Sequence, residues 1–293
     1  MAIFRKPGRS GPPDPAPEQV AEELAELVEE LERPAPAVEG GPARQIAEYR
    51  AGGRSRATAL LGSVSRRLGS GGLAAAKGAA YGGRALADQL MHAAPRIPVR
   101  DLATLRAQHP DAADPERLAD LLVTGASRAS GALGAGVGAT AMLPVPPAMV
   151  VEIAAETLAV AAVEIKLIAE LHEVYGLAAQ GTTTQRASAY VAAWANRRGI
   201  DATMLVKPAG FAAMALGAEV RQQVRKRLTR STLRRLPSLI PLLIGAGIGA
   251  TVNRRDTRKL AREVRKDLRK RRHAADGAYW TAAAPPLPGE ASP

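Results

Sequence analysis

Asp114–Gly176 reads DPERLADLLVTGASRASGALGAGVGATAMLPVPPAMVVEIAAETLAVAAVEIKLIAELHEVYG, and it spells two long helices. Asp114 is a side-chain cap followed by proline at the first helical position, where the missing N–H has no helical partner in any case. The helix it opens is predicted to run toward Leu143. Pro144-Val145-Pro146-Pro147 then ends it, because consecutive prolines remove donors and clash with the preceding turn. A second helix is predicted over 148–175, with Gly176 as its C-terminal stop. No segment alternates apolar and polar residues over a strand's length. The fold class is therefore all-α: a multi-helix bundle with Gly/Ala-rich apolar helices, flanked by disordered or loosely attached termini.

Working outward, helices are predicted over 184–198 (stopping at Gly199), 208–234, 241–252 and 254–272. Upstream, PGRSGPPDPA (7–16) and PAPAVEGGPA (34–43) are linker-like. Between them lies an acidic helix, 17–33, in which Val20, Leu24, Leu27, Val28 and Leu31 recur at helical spacing among glutamates. Residues 44–93 form an Ala/Gly-rich basic region read as helical, and the proline-containing tail 274–293 is expected to be disordered. The division that follows is 1–43, a flexible acidic segment with one short helix; 44–94, a basic helical region; 95–273, the main helical domain; and 274–293, the tail.

Composition excludes several chemistries. The 293 residues include no cysteine, which rules out a disulfide scaffold, a thiolate metal site and a cysteine nucleophile. With 2 Trp, 5 Tyr and 2 Phe, stacking-based recognition of single-stranded nucleic acid is disfavoured. The opening MAIFRKPGRSG has cations but no apolar run behind them, so no secretion signal is expected. The net charge of +12 is concentrated in 221–272, which holds 18 cations and 3 anions. Such asymmetry marks a surface for something anionic. The acidic 17–33 helix carries the opposite charge and is expected to dock there or to guard that region from lipid.

Within that region Leu236–Asn253, LPSLIPLLIGAGIGATVN, has 18 residues and no charge. As a full helix it would be about 27 Å long, near the ~30 Å of a bilayer core. Pro237 and Pro241 place the real start near Pro241, leaving about 18 Å, too short to span. Cations stand on both sides, so a single crossing would expose one cluster against the positive-inside rule. A dip into lipid, an interfacial position or burial in protein keeps both clusters on one side. The expected anionic-surface residues are Arg225, Lys226, Arg227, Arg230, Arg234, Arg235, Arg254, Arg255, Arg258 and Lys259. Beyond them, Leu260, Val264 and Leu268 make a narrow apolar stripe on a basic helix, suited either to a membrane surface or to one docked edge of a solvated helix.

An internal echo joins this run to the deciding stretch: Gly134–Thr140 is GAGVGAT and Gly245–Thr251 is GAGIGAT. Gly134/Gly138 and Gly245/Gly249 each lie four apart, a glycine-zipper spacing that lets helix backbones approach closely in lipid or in a soluble bundle. With Leu239, Ile240, Leu242, Leu243 and Ile244 they are the membrane or helix-packing candidates. A dinucleotide loop is disfavoured, since the spacing is G-x-G-x-G and what precedes it reads as helical. For the uncharged stretch 129–151, burial in protein is favoured over membrane re-entry.

Catalytic constellations are scarce. His172-Glu173-Val174-Tyr175-Gly176 opens like a zinc-protease motif but lacks the second histidine. On the 148–175 helix, Glu152, Glu156, Lys166, Glu170 and Glu173 fall on one side, read as a wet face, while Glu164 and His172 leave it. Those two are the nearest candidates for an unrecognised enzyme site, and a satisfied core polar group is the plainer reading of each. Tyr190 and Trp194 are read as core. No catalytic, metal or cofactor-binding residue is assigned.

Leu143–Pro147, the helix after it and Val174-Tyr175-Gly176 resemble the first half of the EcsC family pattern. Pro241–Ala250 with Asn253 and Thr257 resembles its second half, an Ile/Pro step, a Gly-Ala helix and a charged terminal helix. The resemblance covers about 95–272. It implies a bacterial helical protein near membranes, in a family named for a gene beside an ABC transporter and without assigned chemistry. The expectation is a non-enzymatic protein on an anionic membrane surface at the inner face of the cell membrane, with a membrane protein as a further partner. The alternatives are a basic nucleic-acid-binding protein and an enzyme with an unrecognised site.

Overall fold

The computed structural model describes residues 17–32, 43–69, 88–140, 146–198, 242–271 and 277–282, and among these it contains helices and no strand. The helices are α1 (Pro17–Glu32), α2 (Ala43–Leu68), α3 (Leu102–Gln108), α4 (Pro115–Thr140), α5 (Pro146–Val174), α6 (Thr183–Arg197), α7 (Leu242–Arg271) and α8 (Gly277–Ala282). A helical stretch over 88–93 runs into a 3₁₀ turn, Ala94–Arg96, before α3.

Local chemistry sets the ends. Asp114 Oδ1 accepts the Arg117 N–H at 2.8 Å, with Pro115 as the first residue of α4. α5 closes in a Schellman motif, where the Leu177 N–H donates to the His172 carbonyl at 2.8 Å and the Gly176 N–H to the Glu173 carbonyl at 3.0 Å. Gly176 takes φ +68°, a conformation that favours glycine. α6 begins with a capping box between Thr182 and Gln185. The predicted stop at Gly199 and the predicted helix 208–234 lie outside the described residues.

α5 is the hub, with α1, α2, α3, α4, α6 and α7 all packed against it. Ala155, Ala159, Ala162, Val163, Ile168, Ala169 and Leu171 are fully buried along it. Small side chains on a central helix let its neighbours come close from several directions. The expected wet face is corrected here, because Lys166 and Glu170 are 3% and 1% exposed. Opposite charges arrive from elsewhere in the chain. Arg100 Nη2 lies 2.7 Å from Glu170, Lys166 Nζ lies 2.6 Å from Glu170, and Glu32 is 3.2 Å from Arg100 and 3.4 Å from Lys166. Lys166 also donates to the Pro98 carbonyl at 2.7 Å. Buried charges persist only when paired and hydrogen-bonded in this way.

Part of each terminal segment needs correction too, while 1–16 and 283–293 lie outside the described residues. Residues 17–32 are not a loose appendage: Val20, Ala21, Leu24, Leu27 and Val28 are fully buried, and α1 packs chiefly on α2 and α5. Its described ion pairs run to Arg56 at 3.0 Å, Arg67 at 2.6 Å and the Arg100/Lys166 pair, not to 254–271. The apolar stripe decides where the helix sits, and charge sign alone could not. In the tail, α8 is ordered by three contacts. The Tyr279 hydroxyl donates to the Val174 carbonyl at 3.0 Å, the Arg106 guanidinium stands 4.5 Å over the Trp280 ring, and Arg106 donates to the Trp280 carbonyl. α2 shares the same core through Ala57, Val64 and Leu68.

The expected break at Asn253 does not occur. α7 is one helix of 30 residues, about 45 Å long. Asn253 caps nothing; its amide donates to Glu156 at 2.8 Å and to the Ser130 carbonyl at 3.3 Å. The change from apolar to charged composition at that point alters what the helix touches, and the backbone continues.

Candidate functional site

α7 runs along α4 as its principal partner. Gly134 and Gly249 face each other across that contact. A Cβ on Gly134 would lie 2.6 Å from the Gly249 carbonyl oxygen, and one on Gly249 would strike the Gly134 carbonyl oxygen. The two echoing motifs thus meet backbone to backbone, an approach open only to glycine. Gly138 lies in α4, and Gly245 with Leu242, Leu243 and Ile244 in the first turn of α7. Leu239, Ile240 and the cations Arg225, Lys226, Arg227, Arg230, Arg234 and Arg235 lie outside the described residues.

From this contact α7 divides lengthwise. Asn253, Thr257, Leu260, Ala261, Val264 and Leu268 are buried against the bundle. The stripe Leu260/Val264/Leu268 is therefore the docked edge, and no apolar face is left on this part of the helix for lipid. Arg254, Arg255, Arg258, Lys259, Arg262 and Lys266 are exposed on the other side. Arg254, Arg258, Arg262, Lys266 and Lys270 form a row of like charges spaced four apart, which opposes helix formation where alternating signs would support it. Thr251, Arg254, Arg255, Arg258 and Arg262 line an open groove of about 400 Å³. None of the four arginines makes an ion pair or hydrogen bond among the described residues. The acids of α7 are set off to one flank, where Asp267 pairs with Arg197 at 2.8 Å.

One turn further on, the same helix spends its cations on structure. Arg265 reaches Glu116 and Asp120 at 2.5 Å each and donates to the Tyr175 hydroxyl at 3.2 Å. The Tyr175 hydroxyl donates to Glu116 at 2.8 Å, and Arg269 Nε to Glu116 at 2.9 Å. The hydrogen bonds from Arg269, Arg265 and Tyr175 outweigh burial and hold the Glu116 carboxyl down at about 2. Burial works against the charge of Arg265, but its bonds to Glu116, Asp120 and Tyr175 raise its pKa above the usual value. Burial and the bond to Glu116 push the Tyr175 phenol up.

Of the two enzyme candidates, Glu164 is a satisfied core group and His172 is half-buried with one ring nitrogen bonded. Glu164, fully buried, accepts from Trp194 Nε1 at 2.8 Å, Thr257 Oγ1 at 2.9 Å and Arg198 Nε at 3.0 Å. Every direction a substrate would use is taken by a donor. His172 Nδ1 lies 2.7 Å from the Ile168 carbonyl and its ring packs 5.4 Å from Tyr190. Burial holds its pKa below the ordinary value despite that bond. No group of three or more metal-ligating side chains occurs among the described residues, and no described helix is long and apolar enough to cross a membrane.

Two features of the groove go beyond the expected anionic-surface residues. Arg262, counted among the cations after the apolar run but not among the expected surface residues, belongs to it and continues the spacing of Arg254 and Arg258. Gly131 is the other: a Cβ there would lie 2.6 Å from Arg254 Cγ, so the stem of Arg254 lies across the backbone of α4. No protein-family model, curated protein or solved structure matches this chain.

Proposed function

We propose that this is a non-enzymatic protein that docks peripherally on an anionic membrane surface through the exposed cationic face of α7. The observation that carries the reading is the contrast along one helix. Arg265 and Arg269 are consumed by Glu116 and Asp120, while Arg254, Arg255, Arg258 and Arg262 stand exposed, like-charged and without an acidic partner among the described residues. Their mutual repulsion is relieved when an anion arrives. Each cation at an anionic leaflet contributes about 1 kcal/mol, so four give roughly a thousandfold in affinity. Over 253–271 the apolar edge is buried, so this part of the helix is an electrostatic rather than an inserted anchor, and no described helix is long and apolar enough to cross a membrane. The EcsC-like pattern supports a place at the inner face of the cell membrane beside a membrane complex.

Flotation with vesicles tests this. The protein is expected to float with phosphatidylcholine vesicles containing phosphatidylglycerol, to be released by salt, and to stay behind with pure phosphatidylcholine. Arg254→Glu, Arg258→Glu and Arg262→Glu together abolish flotation with the helix content unchanged. Equal recovery with neutral and anionic vesicles, or indifference to the charge reversal, overturns the reading. Tighter binding to a DNA duplex than to vesicles assigns the face to nucleic acid instead.

A further inference from the structure

We infer that the groove between Thr251 and Arg262 is a binding site for a phosphomonoester, the dianionic phosphate of a lipid headgroup, and not merely a patch of positive potential. This rests on the membrane-docking reading for the source of the phosphate, and three observations on the groove carry it.

The first is residue type. The exposed side of α7 carries both kinds of cation, yet the groove is lined by Arg254, Arg255, Arg258 and Arg262, while Lys259 and Lys266, exposed beside it, do not line it. A planar surface of diffuse charge draws lysine and arginine alike. A guanidinium fork adds something only where phosphate oxygens are met at fixed angles. The second is shape. The space, about 400 Å³, is open and is walled by side chains of α7 itself, so it suits a small headgroup held from one side. Arg254, Arg258 and Arg262 succeed one another by a single turn, about 6 Å apart along the axis, which places long side chains from neighbouring positions within reach of one anion.

The third is pre-organisation. The Arg254 stem lies over Gly131 of α4, where a Cβ would come 2.6 Å from its Cγ and 2.9 Å from its Cδ. α4 thereby guides an arginine that belongs to α7, and a held side chain loses less entropy on binding than a free one. The ligand class follows from charge. A phosphomonoester presents three terminal oxygens and, with a second pKa near 6, close to two charges at neutral pH. A phosphodiester presents two free oxygens and one charge. Several guanidinium groups around one phosphate favour its second ionisation and bind the doubly charged form more tightly.

The test compares vesicles of phosphatidic acid with vesicles of phosphatidylglycerol, matched in measured surface potential, using the full chain. Phosphatidic acid is expected to bind about tenfold more tightly. Replacing Arg254, Arg258 and Arg262 together by lysine keeps every charge. It is expected to erase the preference, read as the ratio of the two affinities. Gly131→Ala, which displaces the Arg254 stem and its Nε, is expected to reduce the preference in the same direction. Calorimetry with glycerol 3-phosphate separates the sources. Saturable binding at the affinity of the vesicles assigns a soluble phosphomonoester, and much weaker binding assigns the lipid. Equal affinity for the two matched vesicles overturns the inference while leaving membrane docking intact. Binding to neither vesicle overturns membrane docking itself. A preference that survives the lysine variant also overturns the inference.

Discussion

Gly134 is one atom short of a collision with Gly249, whereas Gly125, two and a half turns earlier in α4, has open space where a Cβ would go. The same substitution is therefore expected to have opposite signs at the two positions. Gly125→Ala gains helix propensity without a clash and stabilises by about 0.5–1 kcal/mol. Gly134→Ala gains the same propensity but drives a methyl into a backbone carbonyl that cannot rotate away. Overpacking of that kind costs about 1–3 kcal/mol, leaving a net loss of up to about 2.5 kcal/mol after the propensity gain. Urea unfolding of the two variants measures both, and a Gly134→Ala protein as stable as Gly125→Ala sinks the close-contact account. The spacing of these glycines was legible in the sequence as two faces of small residues. That each is the other's partner was not, because glycine periodicity carries no record of which helix it meets.

At the scale of elements, two carboxylates should give stability opposite pH dependences. Glu32, the last residue of α1, has its pKa raised to about 7 by burial and by neighbouring Glu170, against the pull of Lys166 and Arg100. The folded chain then holds a proton that the unfolded chain has lost, so this group makes stability fall as pH rises from about 4.5 to about 7 and level off above. Glu116, held at about 2, contributes stability that is present above 4.5 and lost as pH falls toward 2. Burial depresses His109 and His172, which work against Glu32 in its own window, so the difference between wild type and Glu32→Gln is the useful quantity. It is expected to fall by on the order of 2 kcal/mol between the two ends of that window in urea titrations. A flat difference removes the buried quartet as the clasp of α1. The sequence announced helix ends well, at Asp114-Pro115 and Gly176, because caps and stops are local rules. It misplaced a boundary at Asn253, where composition changes without a breaker, and it made Lys166 and Glu170 wet because their partners come from Glu32 and Arg100, far away in the chain.

At the scale of the molecule, α1 wears acids outward and α7 wears cations outward. Glu18, Glu22 and Glu26 are exposed on α1, which shares no substantial packing with α7. Deleting 1–40 is then a poor way to unmask the cationic face. Each fully buried side chain among Val20, Leu24, Leu27 and Val28 is worth about 1.5–3 kcal/mol, against a typical total stability of about 5–15 kcal/mol. The truncated chain is expected to lose its cooperative thermal transition, as followed by circular dichroism. Glu18→Gln, Glu22→Gln and Glu26→Gln together keep the core and are expected to tighten binding to anionic vesicles at low salt. Unchanged or weaker binding argues that α1 does not feel the membrane. The all-α class was readable from helix signals alone. The placement of α1 and α8 was not, since each is an apolar stripe or an aromatic pair between linker-like neighbours, and only the tertiary core reveals the socket it fills.

The meeting of Gly134 with Gly249 also bears on descent. Most helix contacts drift over generations by exchange, a bulkier residue on one side answered by a slimmer one on the other. Here each glycine abuts the other's peptide oxygen, an atom that all twenty amino acids share, so no mutation at one position makes room for change at the other. Homologues that keep this crossing inherit both glycines as a frozen couple, and a lineage that loses either one has moved the two helices apart.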